Sequence, residues 1–134
     1  MNAEPSIEFR LDRHSGVPTY RQLVDQVRQS LRLGLLRPGD QLPTVRDVVK
    51  QIAINPNTVH RAYRELEHQG LTEGRPGSGT FIKRSLSKVP DEQPVLLRSL
   101  EAWITSARKA GLGDEAIAAL LAEAMRSTVR KGTK

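Results

Sequence analysis

The chain contains no cysteine, and that absence removes disulfides, thiolate nucleophiles and cysteine-ligated zinc together. Aromatic residues are scarce at 4%, too few for a stacking platform that binds single strands or RNA. No apolar run approaches the roughly 20 residues that cross a bilayer. No charged segment followed by a greasy one opens the chain, so the sequence reads as cytoplasmic and without a membrane partner. With 134 residues there is room for one small domain and a short appendage. A large catalytic domain with a separate cofactor-binding half is excluded on size.

What is present is a basic balance, with 21 Lys or Arg against 15 Asp or Glu and a net charge of +6. Its placement says more than its total. Residues 1–89 hold 14 basic and 9 acidic side chains, giving +5, whereas residues 90–134 hold 7 and 6, giving +1. The first two-thirds is where a polyanion is expected, although charge of this size also serves solubility alone.

Ile7, Phe9 and Leu11 alternate with Glu8, Arg10 and Asp12, which predicts a short strand or an extended arm with one apolar side. From Pro18 to about Leu36, apolar residues at Tyr20, Leu23, Val24, Val27 and Leu31 recur at helical spacing. The turn Arg37-Pro38-Gly39-Asp40 follows. A second helix is capped by Thr44, with Asp47 completing a weak capping box and Val45, Val48, Val49 and Ile52 inward. Asn55 caps a third helix that opens at Pro56, buries Val59, Ala62, Tyr63 and Leu66, and ends at Gly70. The period then changes to that of a two-stranded hairpin, 71–75 and 80–83, around the tip Pro76-Gly77-Ser78-Gly79. Residues 85–93 read as a linker. Two further amphipathic helices follow, about 94–110 and 114–130, with Gly111-Leu112-Gly113 as the turn and Asp114 as the cap.

The predicted fold class is therefore mainly α with a small β-hairpin: a winged helix-turn-helix over 7–84, a linker over 85–93 and a two-helix tail over 94–130. In this arrangement the helix 56–69 lies in the major groove. With its apolar stripe turned inward, the third helix leaves Asn57, Thr58, His60, Arg61 and Arg64 outward. Asn pairs with adenine and Arg with guanine, each bidentately, while Thr reads a thymine methyl or a phosphate. The helix N-terminus itself favours a phosphate. A polar outward face is also what any solvated helix has, so the basic module decides in favour of DNA.

Several blocks then agree, in order and spacing, with one family. They are Pro38-Gly39-Asp40-Gln41-Leu42-Pro43-Thr44-Val45-Arg46, Asn55-Pro56-Asn57-Thr58-Val59, Arg61-Ala62-Tyr63, Leu66-Glu67, Gly70-Leu71 and Gly77-Ser78-Gly79-Thr80-Phe81-Ile82. Over residues 7–83 the chain resembles the GntR-type bacterial transcriptional regulators. The short tail is similar to that of the YtrA-like subfamily, which lacks the large effector domains of other branches. The resemblance implies that Arg46 reaches DNA and that Thr44 caps its helix and touches a phosphate. It implies that Asn55, Asn57, Thr58, His60 and Arg61 open the recognition helix. Arg75, Ser78 and Gly79 would then form a wing tip at the minor groove. The chain departs from the family in Val48 and Val49, where Leu-Ala is usual; the change stays apolar and bears on packing.

Gly77 and Gly79 permit positive φ and a close approach of backbone to phosphate. The Gly-Ser-Gly run lacks the strand-to-helix context of a nucleotide loop. Carboxylates form no inward pair, and His14, His60 and His68 have no metal-ligand spacing, so neither an enzyme nor a cofactor or metal is expected.

The tail helices are too small to bury their own stripes. Leu97, Leu100, Trp103, Ile104, Ile117, Leu120, Leu121 and Met125 need a partner surface, either the DNA-binding domain or a second subunit. A two-fold homodimer suits an inverted-repeat operator in double-stranded DNA, and the resemblance implies dimerisation through this tail. The expected function is a dimeric repressor. A small-molecule effector would occupy an apolar site between the tail helices, or between tail and DNA-binding domain; the competing reading is that no effector exists. The alternative function is a protein-interaction adaptor that uses the winged helix without reading DNA.

Overall fold

A computed structural model describes residues 7–88 and 92–132, and the chain divides into two compact units, 1–94 and 95–134. The element order is α1 (Thr19–Arg32), α2 (Val45–Ile52), α3 (Pro56–His68), β1 (Thr72–Arg75), β2 (Gly79–Ile82), α4 (Gln93–Lys109) and α5 (Asp114–Gly132).

In the first unit α3 is central, packing on α1, α2 and β1. Leu23, Val27 and Leu31 of α1, Val48 of α2 and Val59, Ala62 and Leu66 of α3 are fully buried together with Leu36, Leu71 and Ile82. Removing such a side chain from a packed core costs about 2–5 kcal/mol. The stripe assigned to α3 is buried throughout and that of α1 apart from the half-buried Tyr20, whereas in α2 only Val48 is buried and Val45, Val49 and Ile52 are partly so.

Local signals set the helix ends. Thr44 Oγ1 accepts from the backbone N–H of Asp47 at 3.1 Å, and Asn55 Oδ1 accepts from that of Asn57 at 2.8 Å. Gly70 takes φ +77°, with its own N–H on the Glu67 carbonyl and the Leu71 N–H on the Leu66 carbonyl. That pair of bonds is a Schellman closure.

Three expectations require correction. The first helix stops at Arg32 rather than Leu36, because Gly34 at φ +74° closes it in the same way, with Leu35 N–H on Ser30 O and Gly34 N–H on Leu31 O. Leu36 is still buried, but from the turn. Of the two forms open to the alternation at Ile7, Phe9 and Leu11, the extended arm is the one present, with Ile7 and Phe9 buried. It is an arm whose backbone is bonded by glutamine side chains: Gln26 takes the N–H and C=O of Arg10, and Gln22 those of Asp12. The segment 85–93 does not begin as a free linker, since Leu86 packs against the core. Asp114 lies inside the first turn of α5, whose first backbone bond goes to Gly113 O.

The wing is an antiparallel pair with Thr72 opposite Ile82 and Arg75 opposite Gly79. Its other edge is also occupied. Leu42 N–H reaches Thr80 O, and Ile82 N–H reaches Asp40 O, so the chain entering α2 runs alongside β2. This fixes the wing relative to the helix-turn-helix.

In the second unit, α4 ends at Lys109, Gly111 turns the chain at φ +101°, and α5 follows. Ala107 and Ile117 are its buried apolar side chains, while Leu100, Trp103, Leu120 and Met125 are 39%, 40%, 46% and 70% exposed.

Candidate nucleic-acid interface

The turn between α2 and α3 is Ala53-Ile54-Asn55, in which Ala53 adopts the left-handed conformation at φ 52°. For a residue with a Cβ this costs about 1–2 kcal/mol, and the two packed helices hold it there. The turn places Arg46 of α2 and the start of α3 on the solvent side. Arg46, Asn57, His60, Arg61 and Arg64 are all exposed, and Thr58 is half-buried. The first turn of α3 carries no acidic residue, so the positive end of the helix is not neutralised from within. Glu65 and Glu67 lie further along, beside Arg61, Arg64 and His68 in a shallow groove.

The structure assigns local work to two of the expected contacts. The Oγ1 of Thr44 and the Oδ1 of Asn55 are acceptors in helix caps, so neither oxygen is an uncommitted reader of DNA. A cap of this kind is worth about 1 kcal/mol.

Two arginines are held on aromatic rings. The Arg61 guanidinium lies 3.9 Å from the centre of the Tyr20 ring of α1, well within the roughly 6 Å reach of a cation–π contact. Arg75 lies 4.2 Å from the centre of the Phe81 ring across the hairpin, and its Nε donates to Glu73 Oε2 at 2.9 Å. Both members of that ion pair are about half exposed, so it orders the side chain more than it stabilises the fold.

The wing tip is built as its glycines predict and is also tied back. Gly77 and Gly79 take φ +77° and +122°. Ser78 is exposed, and its carbonyl accepts from Gln41 Nε2 at 2.9 Å. A Cβ on Gly79 would stand 2.5 Å from that same nitrogen. The glycine therefore makes room for Gln41, a role that spacing in the sequence does not reveal. Gln41, Tyr20 and Tyr63 are the residues that sequence reasoning missed at this face.

Tyr63 anchors the recognition helix from behind. Its hydroxyl donates to the Pro43 carbonyl at 2.6 Å. Burial pushes its pKa up, with the Asp47 carboxylate adding to the effect. Arg28 Nη1 donates to Gln69 Oε1 at 2.7 Å, and Gln69 Nε2 to Glu65 Oε2 at 2.8 Å, joining α1 to the far end of α3.

Among the described residues, no group of three His, Cys, Asp or Glu side chains is placed to hold a metal, and no helix is long and apolar enough to cross a membrane. In the second unit Leu97, Ile104 and Leu121 are half-buried and Ile117 is 4% exposed. Ile117 thus supports its own unit from inside.

Residues 19–82 match the family described as bacterial regulatory proteins, gntR family. The chain is 35% identical over 106 residues to the HTH-type transcriptional repressor YtrA of Bacillus subtilis, covering 78% of this chain and 82% of that protein. In three dimensions it resembles a transcriptional antiterminator from Listeria monocytogenes, with a TM-score of 0.56, 30% identity and coverage of 90% of this chain and 91% of the other. It also resembles YtrA from Sulfolobus acidocaldarius, a GntR-family transcription factor, with a TM-score of 0.54, 26% identity and coverage of 72% and 99%.

Proposed function

This chain belongs to the gntR family of bacterial regulatory proteins and is a DNA-binding transcriptional regulator, and from that membership we propose that it is a dimeric repressor of an inverted-repeat operator. The likeness to a YtrA repressor over most of both chains supports the repressor reading. The observation that carries the DNA contact is the two-sidedness of α3. Val59, Ala62 and Leu66 are fully buried on one side, while Asn57, His60, Arg61 and Arg64 are exposed on the other.

In this reading α3 enters the major groove, where Asn57 and Arg61 meet base edges and Arg46 and Arg64 meet phosphates. Thr58 and His60 flank the same edge. Thr44 and Asn55 act through their caps, presenting helix N-termini to the backbone. Arg75, Ser78 and Gly79 skirt the minor groove. The second unit supplies the two-fold contact through Leu97, Leu100, Trp103, Ile104, Leu120, Leu121 and Met125. A small effector acts on the apolar surface of that unit by favouring a half-site spacing that no longer fits DNA. The protein works in the cytoplasm and is not an enzyme.

Selection from a randomised duplex library with the full chain tests this. The enriched duplexes should contain an inverted repeat with half-sites about one helical turn apart. Absence of enrichment, or enrichment of a lone half-site, contradicts it.

A further inference from the structure

Tyr20 lies on α1, a helix whose other inward residues serve only the core. Its ring is half-buried against that core, yet it carries the Arg61 guanidinium 3.9 Å from its centre. Among the described residues, no carboxylate lies within ion-pair distance of Arg61. The ring is therefore what holds this side chain, in contrast to Arg75, which has both Phe81 and Glu73. Tyr20 has a second cationic neighbour. Arg21 lies 5.9 Å from the ring centre, at the outer limit of such a contact.

An arginine is a long side chain with large rotamer entropy, and much of that freedom is lost when it docks on a base. A guanidinium lying over a ring keeps its N–H groups around the edge of the plane, free to donate. Part of the ordering is then complete before DNA arrives, which is what preorganisation contributes to affinity.

We propose that Tyr20 is a positioning residue for DNA readout, its ring holding the Arg61 guanidinium ready for a base in the major groove. The role rests on the proposed function above. It predicts that Tyr20 acts through Arg61, through the ring and not the hydroxyl, and on specific rather than non-specific binding.

A double-mutant cycle tests it, using a duplex selected by the full chain and a scrambled duplex of the same length. Tyr20→Leu should weaken binding to the selected duplex about three- to thirtyfold, the range of a cation–π contact from exposed to desolvated. Binding to the scrambled duplex should be unchanged. Tyr20→Phe should restore affinity to within about twofold, because the ring remains. In an Arg61→Ala background, Tyr20→Leu should add no further loss. Should the leucine lower the melting temperature, Tyr20→Met supplies the same comparison with apolar volume and no ring. A loss that persists without Arg61, or a phenylalanine as weak as the leucine, overturns the role while leaving the DNA reading intact. A wild-type chain that does not prefer the selected duplex overturns the DNA reading itself, and this role with it.

Discussion

The Tyr63 hydroxyl reaches across from the recognition helix to the carbonyl of Pro43, the residue before the Thr44 cap of α2, at 2.6 Å. One buried hydrogen bond thus joins the middle of α3 to the entry of α2 and fixes how far Arg46 stands from Arg61. Tyr63→Phe leaves that carbonyl without its donor and should cost about 1–3 kcal/mol in denaturant unfolding. The pH dependence has a definite sign. The folded pKa lies above the ordinary 10.0, so the unfolded chain loses this proton first. The stabilisation is complete below pH 10 and declines above it, by at most about 1.4 kcal/mol per pH unit. Chemical melts between pH 9 and 11 should show that decline in the wild type, and less of it in Tyr63→Phe.

At the wing tip, Gly79→Ala meets two penalties at once, a φ of +122° and a Cβ 2.5 Å from Gln41 Nε2. The backbone strain is of order 1–3 kcal/mol, and the side-chain clash is relieved if Gln41 lets go of Ser78. Gly79→Ala should therefore lower the melting temperature, and adding Gln41→Ala should recover only the smaller part. Full recovery in the double variant would show that the backbone angle costs nothing.

Arg46 is exposed on α2, where it contributes nothing to the core. Arg46→Ala should leave the melt unchanged and weaken selected and scrambled duplexes alike. For a phosphate contact the salt slope should fall by about one. Selective loss on the selected duplex would instead make it a base contact.

How much of this was legible in the sequence follows the range of each signal. Thr44, Asn55 and Gly70 act within four residues of themselves, and each does what its residue type predicts. The buried stripes of α1 and α3 follow from period alone. Gly34 is as local, but it is flanked by apolar residues that continue the helical pattern, so the pattern masked it. The contacts Tyr20–Arg61 and Gln41–Ser78, the second made to a backbone carbonyl, join residues about forty positions apart, and no periodicity encodes them. Gln22 and Gln26 were hidden for the same reason: from α1 they complete the backbone bonding of the arm at Asp12 and Arg10.

The exposed stripe of the second unit predicts its own experiment. Leu100→Glu and Met125→Glu place charges where Leu100 and Met125 are 39% and 70% exposed, so the single chain tolerates them. A dimer contact does not, because a buried unpaired charge is costly. In sedimentation the wild type should be a dimer and each variant shifted toward monomer, with helix content retained. A dimer unaffected by both substitutions would place the contact elsewhere.

Salt dependence of binding separates reading DNA from docking on a protein. The affinity of the full chain for its selected duplex is measured from 50 to 200 mM salt beside a scrambled duplex. A dimer with six or more phosphate contacts should lose about a thousandfold over that range. It should still prefer the selected duplex at every salt concentration. An affinity that barely changes with salt, or equals that for the scrambled duplex throughout, would contradict the account.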